Sequence, residues 1–273
     1  MNFCFHQAPI LNLTQQFITE ICNLDTRCLT NNDKDFYDID NTRAANNIPA
    51  HLLDSYLSHY GTNFKKLGKV KTWSLPRDLE LAIYHYYKDF FDLIDDEPVI
   101  RLQSITANTN GLAIPIHFDI DKRVSVIHPL INHKDTFTTF YNHKLDILTW
   151  QDHYTAIKDP KWPDCDSPEL FHSLPTEIQQ ELLTYNFTHA ILFSENLRLG
   201  LNLNNIVDPS KVVEVAKVEI VNDACILNVD KCHSVKICQS SYTTPRLSLY
   251  WKFPKVSFRD VANAYHQYVQ SKI

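Results

Sequence analysis

Two adjoining runs, AIPIHFDI (113–120) and RVSVIHPLI (123–131), decide how this chain is read. Both are short, rich in β-branched and apolar residues, and bounded by polar or turn-forming residues, as strands are. Working outward, VIRLQSI (99–105) precedes them and TFTTFYN (136–142) follows. The same pattern returns in VVEVAKVEIV (212–221), ACILNV (224–229), HSVKIC (233–238) and PRLSLYWKF (245–253). Runs of this length and spacing predict a β-sandwich or barrel.

Between the two sets lies a segment, 143–209, that carries DPKWPDCDSP and then a helix capped by Ser173 ahead of PTEIQQELLTY. It reads as an insertion between barrel strands. The first 97 residues read as mainly helical support. A helix is expected over 13–24 with Phe17, Ile21 and Leu24 on one face. A second runs from near Pro49 to Gly61, and a third over 76–94 carries Leu79, Ile83, Tyr86 and Phe90 on one stripe. A last helix, over 255–273, opens on Ser257 and Asp260 as a capping box and shows Val261, Tyr265 and Tyr268 on one face. The whole is one α+β domain whose core strands occupy 98–142 and 210–254.

Composition narrows the function classes. With 273 residues, 44% of them hydrophobic, the chain can fill a sizeable core, and four glycines exclude glycine-rich phosphate loops. A net charge of −6 gives no basic footprint, which disfavours nucleic acid as a partner. Seven cysteines without a framework spacing fit a reducing compartment, and no segment has the apolar length of a membrane span. The expected location is therefore the cytoplasm, of the producer or of its host. Oligomeric state stays open.

The chemistry sits in His117-Phe118-Asp119. On an extended chain residues i and i+2 share a face, so this imidazole and carboxylate can converge on one ion. His233 supplies a second imidazole, and two histidines with one carboxylate leave open positions on an octahedral metal. Thirteen residues after His233, in RLSLYW, Arg246, Ser248 and Tyr250 alternate with Leu247, Leu249 and Trp251. An arginine turned into a barrel needs an anion, and a carboxylate matches its planar fork. Ser248 can donate a hydroxyl to the same group. His128, His133 and His143 show no helical ligand spacing and read as non-ligands, and no C-x-x-C accompanies Cys232 or Cys238.

The order H-x-D, distal His, then R-x-S on a last strand resembles the Fe(II)/2-oxoglutarate-dependent oxygenase superfamily. HFDIDKRVSVIHPL, the T-x-FYN strand and LNVDKCHSV leading to PRLSLYW look nearest to a group of such oxygenases found often in phages and bacteria. The resemblance covers 99–142 and 212–253. It implies a double-stranded β-helix, of jelly-roll or cupin-like form, with His117, Asp119 and His233 on Fe(2+) and with Arg246 and Ser248 on 2-oxoglutarate. It further implies O2-dependent decarboxylation of 2-oxoglutarate to succinate and CO2, coupled to hydroxylation of a small molecule or a protein residue. Asp119 keeps a carboxylate on the metal, which favours hydroxylation or desaturation over halogenation. Gln103 and Tyr141, on the flanking strands, are candidate oxoglutarate contacts, and Arg123 is a candidate substrate contact. The other reading is a β-helix binding module that keeps the motif without turnover.

Overall fold

The computed structural model describes residues 4–24, 52–61, 69–106, 111–117, 119, 123–143, 207–237 and 245–273. The strands are β1 (Phe5–Gln7), β2 (Lys69–Trp73), β3 (Val99–Thr106), β4 (Gly111–His117), β5 (Val124–Ile131), β6 (Thr136–His143), β7 (Val212–Glu219), β8 (Cys225–Asn228), β9 (Cys232–Ile237) and β10 (Arg246–Phe253). The helices are α1 (Gln15–Cys22), α2 (Leu53–Tyr60), α3 (Arg77–Tyr86), α4 (Lys88–Phe91) and α5 (Phe258–Lys272).

Two antiparallel sheets form, a large one in the order β1-β8-β5-β10-β3-β2 and a small one in the order β4-β9-β6-β7. From β3 onward the pairing is nested. β3 pairs with β10, β4 with β9, β5 with β8, and β6 with β7. The chain thus doubles back on itself about the β6–β7 connection, and successive strand pairs go alternately to the large and the small sheet.

Alternation along β10 separates two cores. Leu249, Trp251 and Phe253 turn outward with Ile100, Leu102, Val124 and Val126, and the helices cover them through Phe17, Ile83, Phe90, Val261 and Tyr265. The opposite face looks at the small sheet, where Tyr250, Ile127 and Leu227 pack on Phe140 and Val218. Farther along, Ile105 packs on Val235 and Ile237. Aligned sheets stack about 10 Å apart, so this second core is one side-chain layer thick.

The capping box is present, since Ser257 Oγ accepts from the Asp260 N–H at 3.3 Å and Asp260 accepts from the Ser257 N–H at 2.9 Å. Gly61, at a φ of 69°, closes α2, a backbone state that glycine adopts without strain.

Two expectations are corrected. The helix predicted over 76–94 breaks at Tyr87, where φ is −100° and ψ 15°. The break shifts the apolar stripe by one residue: Tyr86 is 58% exposed, while Tyr87 is 1% exposed with its hydroxyl on the Asn12 carbonyl at 2.6 Å. Beside its helices the N-terminal part also supplies β1 and β2, the two edges of the large sheet. A three-residue strand is too short for alternation to show, and KVKTW puts Val70 and Trp73 on opposite parities. The strand predicted over 113–120 ends at His117. Of the expected insertion, residues 144–206, including the helix after Ser173, lie outside the described residues. Among the described residues no helix is long and apolar enough to cross a membrane.

Candidate metal centre

His117 ends β4, the edge strand of the small sheet, and stands in register with His233 on β9. Pro115 has no N–H to give the ladder, and the register shifts between Ile114 and His117. The freed Pro115 carbonyl accepts from His117 Nδ1 at 2.8 Å. His233 repeats the device two residues from its own carbonyl partner, with Nδ1 on Lys231 O at 2.9 Å. A proton held on each Nδ1 puts the lone pair on each Nε2, the state a metal requires.

Both Nε2 atoms look at Asp119. Oδ1 lies 3.8 Å from His117 and Oδ2 lies 3.6 Å from His233. The three ligand atoms fall within 4.8 Å of one another. Asp119 stands beyond the strand, so the i, i+2 rule does not orient it. Its N–H instead bonds the Val229 carbonyl at 3.3 Å, in the segment just before His233. Two imidazoles and one carboxylate suit a divalent first-row metal and leave room for further ligands.

The support behind this group comes from two places. Tyr56 on α2 donates to the Val207 carbonyl at 2.8 Å and accepts from the Ile116 N–H at 3.1 Å, bracing β4 one residue before His117. Arg123 donates from Nε to Asp230 at 2.9 Å, and its own carbonyl accepts from the N–H groups of Val229 and Asp230. Arg123 and Asp230 are both buried. The structure thus places Arg123, a candidate substrate contact by sequence, in a buried clasp on the 229–231 turn.

Across from the metal ligands, on the inner face of the large sheet, lie Arg246 and Ser248. Ile105 stands opposite Arg246 and Gln103 opposite Ser248, so all four share that face. Ile105 touches Val235, the inward neighbour of His233, which shows that the two faces meet. Arg246 is 6% exposed and has no acidic partner among the described residues. Its one hydrogen bond there runs from Nε to His133 Nδ1 at 3.2 Å. Burial pulls the guanidinium pKa down to about 10.

Tyr141 is the misplaced candidate. It pairs with Cys232, bonds Ser234 Oγ at 3.0 Å, and packs with Ile116, Val207 and Val212 on the outer face of the small sheet. Ile116, Cys232 and Ser234 each adjoin a ligand histidine and so point the other way. Two contributors escaped sequence reading: Asp230, and His133, which lies against Arg246 and Ser248 rather than near the metal ligands. Compared with known proteins, the chain matches no family model and no curated sequence.

Proposed function

We propose that the chain is an Fe(II)/2-oxoglutarate-dependent dioxygenase on a double-stranded β-helix. The nested pairing of β3–β10, with its strand pairs alternating between two sheets, supports the jelly-roll form. The observation that carries the activity is a buried Arg246 without an acidic partner among the described residues, on the face that looks at a His-Asp-His group. A charged guanidinium in that place is unfavourable until an anion arrives, and a dicarboxylate that also reaches the metal satisfies both ends.

Iron bound by His117, Asp119 and His233 supplies the O2 chemistry that couples oxidative decarboxylation of 2-oxoglutarate to hydroxylation of a substrate. The residues supply placement. The carbonyls of Pro115 and Lys231 fix the two rings, and the 229–231 turn fixes Asp119. Arg246 and Ser248 hold the distal carboxylate of the cosubstrate, with Gln103 beside them. The inner core of Ile105, Val235 and Ile237 keeps water from the far side of this group. The substrate is a small molecule or a protein residue, and the place of action is the cytoplasm.

Purified protein reconstituted with Fe(II) under nitrogen should, on admission of air, convert 2-oxoglutarate to succinate even without its substrate. Iron binding without succinate formation, in the presence of candidate substrates as well, would instead leave a binding module.

A further inference from the structure

His133 is buried just after β5, and its ring has a polar atom at each corner. Nδ1 lies 2.9 Å from the Ile220 carbonyl and 3.2 Å from Arg246 Nε. Nε2 lies 2.8 Å from the Leu247 carbonyl and 3.1 Å from Ser248 Oγ. A neutral imidazole has one N–H and one lone pair, so it cannot serve two carbonyls. With the proton on Nε2, the ring donates to Leu247 and accepts from Arg246, while the Ile220 oxygen faces a lone pair. With the proton on Nδ1, Ile220 is served and Ser248 can donate to Nε2. Then the Leu247 oxygen is left facing a lone pair, and Arg246 Nε–H meets another N–H.

Only the imidazolium gives both carbonyls a hydrogen, and it takes from the Arg246 Nε–H its acceptor on Nδ1. Burial, and after it the charge of Arg246, oppose that state and pull the His133 pKa down to about 3. From β10, Arg246 is the charged group that acts on the ring. On the turn and on β7, the neighbouring acids Asp135 and Glu219 are joined to each other, the Asp135 N–H donating to the Glu219 carboxylate.

We propose that His133 is a proton-linked positioning residue of the anion site: neutral, it steadies Arg246 and Ser248, and it takes a proton from solvent when a carboxylate docks on Arg246. The inference rests on Arg246 being the oxoglutarate anchor. The docked carboxylate offsets the guanidinium charge, which removes the second of the two obstacles to the imidazolium, and gives the Arg246 Nε–H a new acceptor while both carbonyls gain a donor. A group whose pKa rises on binding makes binding tighter as pH falls, so oxoglutarate affinity should increase from about pH 8 to about pH 6.

The test is calorimetric titration of 2-oxoglutarate into Mn(II)-saturated protein near pH 6, in two buffers of different ionisation enthalpy. Wild-type protein should show net proton uptake. His133→Gln should bind about tenfold more weakly, as expected for loss of an outer positioning partner, and lack that uptake. Histidine-labelled nuclear magnetic resonance spectra of the wild-type Zn(II) form give a readout that needs no variant, since the His133 nitrogens should pass from neutral to imidazolium shifts when oxoglutarate is added. Equal proton uptake in wild type and variant, or an unchanged His133 signal on saturation, overturns the role of His133 and leaves the anchor standing. Absence of oxoglutarate binding to the wild type overturns the anchor and this inference together.

Discussion

His117 and His233 face each other across the β4–β9 ladder with ring centroids 4.4 Å apart, each pinned through Nδ1 to the carbonyl two residues before it. The pairing means that the strand ladder itself sets the spacing of two of the three ligands. Loss of one ring leaves an imidazole and a carboxylate, too few donors to retain a divalent metal against water. His117→Ala and His233→Ala should each weaken Mn(II) binding by more than about a hundredfold, since losing an outer partner alone costs 10- to 100-fold. Manganese titration followed by electron paramagnetic resonance measures this. Wild-type affinity in either variant would remove that histidine from the ligand set.

The Arg123–Asp230 clasp makes a different prediction, because it acts on folding as well as on the site. Removing one partner of a buried ion pair costs about 3–5 kcal/mol. Asp230→Ala should lower unfolding free energy by that order in urea titration. It should also weaken metal binding, since the turn it steadies carries the Asp119 contact. Had Arg123 served substrate alone, the variant would melt like the wild type.

Arg246 should behave in the opposite way. Its folded pKa is lowered to about 10, so the stabilisation that would be present above the unfolded value is already lost at neutral pH, and the buried charge is a net cost there. Arg246→Met keeps the volume and removes the charge. The variant should be as stable as the wild type or more so, while losing oxoglutarate binding. A large fall in melting temperature would mean that the guanidinium serves the fold.

The alternation in RLSLYW is readable from residues alone, and it correctly separates Arg246 and Ser248 from Leu249 and Trp251. Strand pairing is not readable in that way. Gln103 opposite Ser248 and His117 opposite His233 are matches across long stretches of chain. Tyr141 shows the limit within a single strand. TFTTFYN carries aromatic residues on both parities, and the register against β7 shifts between Phe140 and Tyr141, so nothing local tells which ring faces inward. Asp230 and His133 escaped for the same reason, with partners 107 and 113 residues away.

His128 yields the last prediction, from the helix-covered face of the large sheet. Its ring lies 4.1 Å from that of Trp251 and is 1% exposed, and among the described residues neither nitrogen has a hydrogen-bond partner. It lines a cavity of about 120 Å³ with Asn12, Leu13, Ile18, Pro129 and Asn222. Burial lowers its pKa to about 3. The unfolded chain binds a proton near pH 6.5, which the folded chain refuses until about pH 3. Stability from this residue is therefore complete above the unfolded value and is lost as pH falls through the folded one. His128→Phe removes both the proton linkage and two unmet polar atoms, which cost about 1–3 kcal/mol when buried. The variant should be more stable than the wild type at neutral pH, and its advantage should widen as pH drops below about 6, in parallel urea titrations. A constant or shrinking difference would mean that the cavity already satisfies the ring, through water or a small ligand held between His128 and Asn222.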